Sequence, residues 1–157
     1  MNDAPGGDVS SLYELAGGWQ GLHRLEQAFY DSVLDDPVLR PLFGEGQAKH
    51  VEHLTMFTAE SFGGPDDFSR VLGFRHLIDV HRGLRITDEQ RRRFIDLYAA
   101  ALDAADRPAD PAFRKAVMEH IEFGTAVAQQ NSHATTEEEL HPIREVPLWT
   151  MDPPGEG

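Results

Sequence analysis

Apolar residues recur at helical spacing in every long segment of this chain, and no useful stretch alternates apolar with polar residues as a strand does. That pattern restricts the fold to helices packed on helices, an all-α class. Leu22, Leu25, Phe29 and Val33 put one buried face on a helix from about Trp19 to Leu34. Val51, Leu54, Phe57 or Thr58, and Ser61 do the same from about Gln47 to Phe62. Phe94, Leu97, Tyr98, Ala101 and Leu102 follow on a helix to about Ala105. Phe113, Val117, Ile121, Phe123 and Val127 mark a last long helix, expected to end at Asn131. The boundaries are spelled locally. Ser11-x-x-Glu14 and Thr87-x-x-Gln90 are capping boxes, and Asp36-Pro37 and Asp110-Pro111 pair a cap with a first-turn proline. Gly17-Gly18 and Gly63-Gly64-Pro65 are stops, and residues 66–80 read as a loop and a short helix.

At 157 residues the chain is long enough for one domain with one core. Its expected extent is 10–131, after a disordered leader over 1–9 and before an acidic, proline-containing tail over 132–157. Within that tail Val146-Pro147-Leu148-Trp149 is apolar, so it either docks back on the domain, meets a partner, or stays loose.

Several function classes drop out. The chain has no cysteine, which removes disulfides, thiolate metal sites, a cysteine nucleophile and covalent haem attachment. Lys+Arg 14 against Asp+Glu 27 gives a formal charge of −13, which repels nucleic acid and anionic lipid. The one basic cluster, Arg91-Arg92-Arg93, reads as a solvated helix face. No apolar run approaches the ~20 residues of a membrane span. The first residues lack a basic start and an apolar stretch, so no signal peptide is expected and the cytoplasm follows.

Histidines carry the candidate chemistry. His81 sits at a helix junction, between Gly73–Val80 and Arg82–Ile86. A neutral imidazole facing an apolar, aromatic-lined slot can hold haem iron from one side. The other reading is a surface histidine in a polar turn. Tyr30, next to Phe29, is either a core tyrosine or a hydroxyl placed over a ligand site. His50 and His53 are three apart, and with His76, His81 and Asp79 they also suit a non-haem zinc or iron site.

Taken in order, the pieces resemble the truncated haemoglobins, most closely their second group. They are Leu12-Tyr13-Glu14-x-x-Gly17-Gly18, Phe29-Tyr30-x-x-Val33, Asp36-Pro37-x-Leu39, Leu42-Phe43, Leu54-x-x-Phe57, Gly63-Gly64-Pro65 and His81-Arg82-Gly83-Leu84-Arg85-Ile86. The resemblance covers about residues 11 to 131. It implies a two-over-two helical sandwich around non-covalent haem b, with His81 as the iron ligand. It also implies that Tyr30 hydrogen-bonds the bound ligand, that Phe43 packs on the haem, and that Leu54 and His50 stand on the distal helix. Many relatives carry a small residue where this chain has His50, which here is a second donor, a gate or an iron ligand. The family usually has tryptophan thirteen residues after the iron-binding histidine. This chain has Phe94, which fills space without an N–H to donate. Ile86 is expected in the haem pocket, and Arg75, Arg82 and Arg85 as propionate partners.

The implied function is reversible binding of O2, NO or CO, for oxygen handling or transport, or for nitric oxide or peroxide detoxification with an external reductase. A nitric oxide dioxygenase or a peroxidase-type enzyme using Tyr30 and His50 is the enzymatic version. A haem-free globin-fold sensor or interaction protein is the alternative. The oligomeric state is not readable from the sequence.

Overall fold

The computed structural model describes residues 11–44, 46–105 and 110–150. The expected leader over 1–9 and the end of the tail lie outside the described residues. The chain runs through α1 (Leu12–Leu15), α2 (Gly18–Leu34), α3 (Arg40–Phe43), α4 (Ala48–Ser61), a π-helical turn (Phe68–Leu72), α5 (Phe74–His81), α6 (Asp88–Asp103) and α7 (Pro111–His133), then a short 3-10 turn (Glu137–Glu139). No strand occurs among the described residues.

Local spelling explains most of these bounds. Both capping boxes close: Ser11 and Thr87 each accept the backbone N–H three residues on, while Glu14 and Gln90 reach back. Asp110 accepts from Phe113 N–H with Pro111 in the first turn of α7. Gly17 joins α1 to α2 at φ 95°, where a side chain would be strained, and Gly73 reverses the chain into α5 at φ 86°. Helix α7 runs two residues beyond Asn131. The Asn131 side chain does not end the helix; it is buried and accepts the His141 N–H at 2.8 Å, tying the following segment down.

Two helix pairs make the core. α2 packs on α4, α6 packs on α7, and α2 lies against α6. This is the two-over-two arrangement, and its shared core holds Leu22, Phe29, Val33, Phe62, Tyr98 and Val117. Arg91 and Arg93 are not simply solvated. Arg93 pairs with the buried Asp36, and Arg91 donates to Thr125 Oγ1 (3.0 Å) and Glu122 O (2.8 Å) on α7.

The apolar tail segment docks on the domain. Trp149 donates its backbone N–H to Ser61 O (2.7 Å) and its indole N–H to Ala116 O (3.1 Å). Leu140, Ile143 and Val146 join Phe74, Ile78 and Leu77 in a second apolar cluster against α5. Trp149→Ala is expected to cost about 2 kcal/mol, below the range for a fully buried tryptophan because the ring is only half-buried. The urea midpoint checks it; an unchanged midpoint would mean a loose tail.

Candidate functional site

A cavity of about 470 Å³ lies between the helix pairs and α5. Its lining is mostly apolar, with Phe43, Leu54, Phe57, Ile86 and Phe94 among the bordering residues. His50 borders it from α4 and His81 from α5.

His81 ends α5, where the sequence expected it. Its Nδ1 donates to Leu77 O, one turn back, at 2.8 Å. The ring proton is thus held on Nδ1, and the lone pair sits on Nε2. Burial pushes the imidazole below its ordinary value, against the opposing effect of the Leu77 bond. The ring is therefore neutral, as a metal-ligating histidine must be.

On α4, His50 meets Tyr30 of α2. The Tyr30 hydroxyl and His50 Nδ1 are 2.5 Å apart, and the hydroxyl oxygen also accepts the Gln47 backbone N–H at 3.1 Å. A hydroxyl has one proton and two acceptor sites, so beside the Gln47 bond this contact has two directions: Tyr30 O–H donates to His50 Nδ1 and leaves the ring proton on Nε2, or Nδ1–H donates to the hydroxyl. Burial, then the Lys49 charge, lower the His50 pKa, so this ring too is neutral. Tyr30 is buried and does not itself border the cavity; it acts on it through His50. Phe43 packs edge-on to both rings, at 5.6 Å from Tyr30 and 6.0 Å from His50. Phe94 stacks edge-on against Phe29 at 4.6 Å, filling its position with carbon alone.

The arginines expected near a carboxylate-bearing ligand are elsewhere. Arg75 and Arg85 do not border the cavity, nor does Arg82. Arg75 is bidentate to Glu137 (3.1 and 2.7 Å) and reaches Asp79, while Arg82 also meets Glu137 at 3.3 Å. The tail thus takes both guanidiniums. Arg85 is exposed, with a left-handed backbone (φ 54°) whose N–H bonds Ser132 O. Besides the histidines at 50, 81 and 120, Lys49, His53, His76 and Arg91 border the cavity. His53 and His76 touch edge-on at 5.8 Å, joining α4 to α5. They make no larger metal cage: no group of three or more His, Asp or Glu side chains suited to a metal is found among the described residues.

Sequence reasoning passed over two residues on the cavity wall, Glu26 and His120. Both are buried. Their signal was readable: each is a titratable residue on an otherwise apolar helix face, Glu26 between Leu22 and Tyr30, His120 between Val117 and Ile121.

Residues 11–130 match the family model described as bacterial-like globin. The chain belongs to that family. Its fold is that of a truncated globin, and solved relatives overlay accordingly. This globin is 28% identical to the hemoglobin of Chloroflexus aurantiacus, over 76% of this chain and 97% of that one, with TM-score 0.67. It is 29% identical to a thermostable hemoglobin from Thermobifida fusca, over 76% and 96%, with TM-score 0.68. The group II truncated hemoglobin from Bacillus anthracis shares the fold at 22% identity, over 87% and 99%, with TM-score 0.71. The docked tail begins beyond the family match, so the clamp of Glu137 on Arg75 and Arg82 is added to the matched region.

Proposed function

We propose that this globin holds haem b without a covalent link and binds O2, NO or CO reversibly. His81 is the iron ligand in this reading. The observation that carries it is the His81 ring: neutral, tied through Nδ1 to Leu77 O, and with its Nε2 lone pair left for a metal. The residues fit the group in other respects. The slot is apolar, and a chain without cysteine has no thioether attachment to offer. Bound haem supplies an iron with one position open to a diatomic ligand.

The chain's own part is to hold, orient and select. Phe43, Leu54, Ile86 and Phe94, which line the cavity, would exclude water from a haem held there. Lys49 replaces Arg75 and Arg85 as the proposed cation for the propionates, beside His53, which burial and the neighbouring charges keep neutral. Lys49 forms none of the ion pairs found among the described residues. On the distal side, Tyr30 fixes the His50 tautomer so that Nε2–H is the donor offered to a ligand. A protonated Nε2 has no lone pair for iron, so the ferrous protein is expected to be five-coordinate and high-spin without added ligand. Oxygen handling or transport in the cytoplasm is one use of such a site. Reaction of nitric oxide with O2 to give nitrate, or reduction of peroxide with His50 as the acid–base group, is another, with an external reductase restoring the reduced protein.

The test is a haemin titration followed by absorption, ferric and then dithionite-reduced, beside His81→Ala. Stoichiometric uptake by the parent protein, weakened or spectrally altered in the variant, is the expected result. No uptake by either protein would overturn the reading.

A further inference from the structure

Helix α5, which ends on His81, has only eight residues. Isolated helices shorter than about 12–15 residues are marginal in water, so what packs on α5 decides where it sits. It rests on α7 and on the π-helical turn, and the tail covers it further. Its Phe74, Leu77 and Ile78 share one apolar cluster with Leu140, Ile143 and Val146 of the tail. Leu77 is also the residue whose carbonyl holds His81 Nδ1. Ile143 and Pro147 border the cavity, as His81 does. The tail is thus the backing of α5 and part of the cavity wall at once.

Polar bonds tie the same segment to three helices. Arg75 is the second residue of α5 and Arg82 its C-cap, and Glu137 pairs with both, so one carboxylate spans the helix from end to end. Arg75 also reaches Asp79, one turn on. From α7, Asn131 accepts the His141 N–H at 2.8 Å and Gln130 donates to Glu139 O at 3.1 Å. From α4, the Ser61 hydroxyl donates to Pro147 O at 2.6 Å. An exposed ion pair contributes little to stability by itself and is screened by salt. The apolar contacts therefore hold the tail down, and the Glu137 carboxylate sets where α5 lies along it. Glu137, Ile143 and Pro147 all lie beyond residue 130, where the family match ends.

We infer that the tail from Glu137 to Pro147 is a strap that fixes α5 and so sets the position of His81 on the cavity wall, with Glu137 and Ile143 as its positioning residues. Glu137 acts through Arg75 and Arg82, and Ile143 through the cluster that holds Leu77. With the strap tight, Leu77 O keeps one place and the His81 ring one tilt. With the strap slack, Leu77 shifts and the ring takes a range of tilts. What this does to a bound iron rests on the haem reading; the strap itself does not.

Hydrogen exchange of the α5 amides in the full haem-loaded chain tests the strap, and the iron–histidine stretching band of the ferrous protein tests its hold on His81. Glu137→Gln and Ile143→Ala are compared with the parent and with Glu138→Gln, the adjacent glutamate. Glu137→Gln is expected to speed α5 exchange about two- to fivefold, the range for an exposed pair. Ile143→Ala is expected to speed it at least about tenfold, as for a packed aliphatic side chain. Exchange in α2 and α6 should not change. About 1 M salt, which cuts the screening length to about 3 Å, should reproduce the Glu137→Gln rise in the parent and add nothing to that variant. The iron–histidine band should shift or broaden in both strap variants and stay in place in Glu138→Gln. Unchanged α5 exchange, or a rise shared equally by α2 and α6, overturns the strap. An unmoved band in a protein whose α5 has loosened overturns its hold on His81. If a variant fails to fold, the salt dependence of the parent decides, and α5 exchange that salt leaves unchanged relative to α2 and α6 overturns the inference. Failure to load haem shows in the absorption spectrum and sinks the haem reading alone; the exchange is then read on the haem-free chain.

Discussion

His50→Leu is expected to speed oxygen release from this globin at least about tenfold, since a hydrogen bond to a partly charged group contributes about 1.5–3 kcal/mol. The physical ground is the Tyr30–His50 contact of 2.5 Å. In the proposed tautomer the Tyr30 hydroxyl donates to His50 Nδ1 while its oxygen accepts from Gln47 N–H, and it has nothing left to donate to a ligand. His50 Nε2–H is then the donor, and Phe94 supplies none. Tyr30→Phe removes the group that holds the tautomer but leaves the imidazole, so a rise of only a few-fold is expected. The double variant should release oxygen about as fast as His50→Leu alone, because both substitutions act through one donor. Stopped-flow displacement of oxygen by carbon monoxide measures all three. A larger effect for Tyr30→Phe than for His50→Leu would reverse the assignment: His50 would donate through Nδ1 to the hydroxyl, and Tyr30 to the ligand, as the family resemblance implies.

Glu26→Gln is expected to flatten the pH dependence of stability. The carboxyl titrates near pH 7 in the folded chain, against an ordinary value of 4.5, mainly through burial. Between those values the folded chain holds a proton that the unfolded chain has released. Stability from this group is therefore complete below about pH 4.5 and is lost as pH rises through 7. The shift corresponds to a loss on the order of 3 kcal/mol above pH 7. Glutamine keeps an acceptor for Thr58 and Tyr98 and does not titrate. Urea unfolding should find the two proteins similar near pH 5 and the variant more stable near pH 8. Parallel curves across that window would place the carboxyl in contact with water.

Local chemistry was legible. Capping boxes at Ser11 and Thr87, glycines at positive φ and a proline after Asp110 act within one turn, so their spelling alone marks where helices begin and stop. His81 was legible for the same reason. It ends a short helix, and its orienting bond goes to Leu77, four residues away. The ordered motifs then placed the chain among truncated haemoglobins, because their separations reflect one packing of helices.

Charge partners were not legible. Arg75 and Arg82 stand beside His81 in sequence, which suggested propionate contacts, yet a glutamate more than fifty residues away takes both. Whether Val146–Trp149 docked also depended on distant groups, Ser61 and Ala116.

Periodicity and capping were enough to establish an all-α chain with His81 near a helix junction, since both act over a few residues, and the order of the motifs carried the resemblance to the truncated haemoglobins. Tertiary packing alone decided which proton faces the cavity. Tyr30 meets His50 across 20 positions, Glu26 meets Thr58 across 32 and Tyr98 across 72. A hydroxyl or imidazole takes its donor or acceptor role from the partner that folding brings to it, and at such separations no spacing rule names that partner.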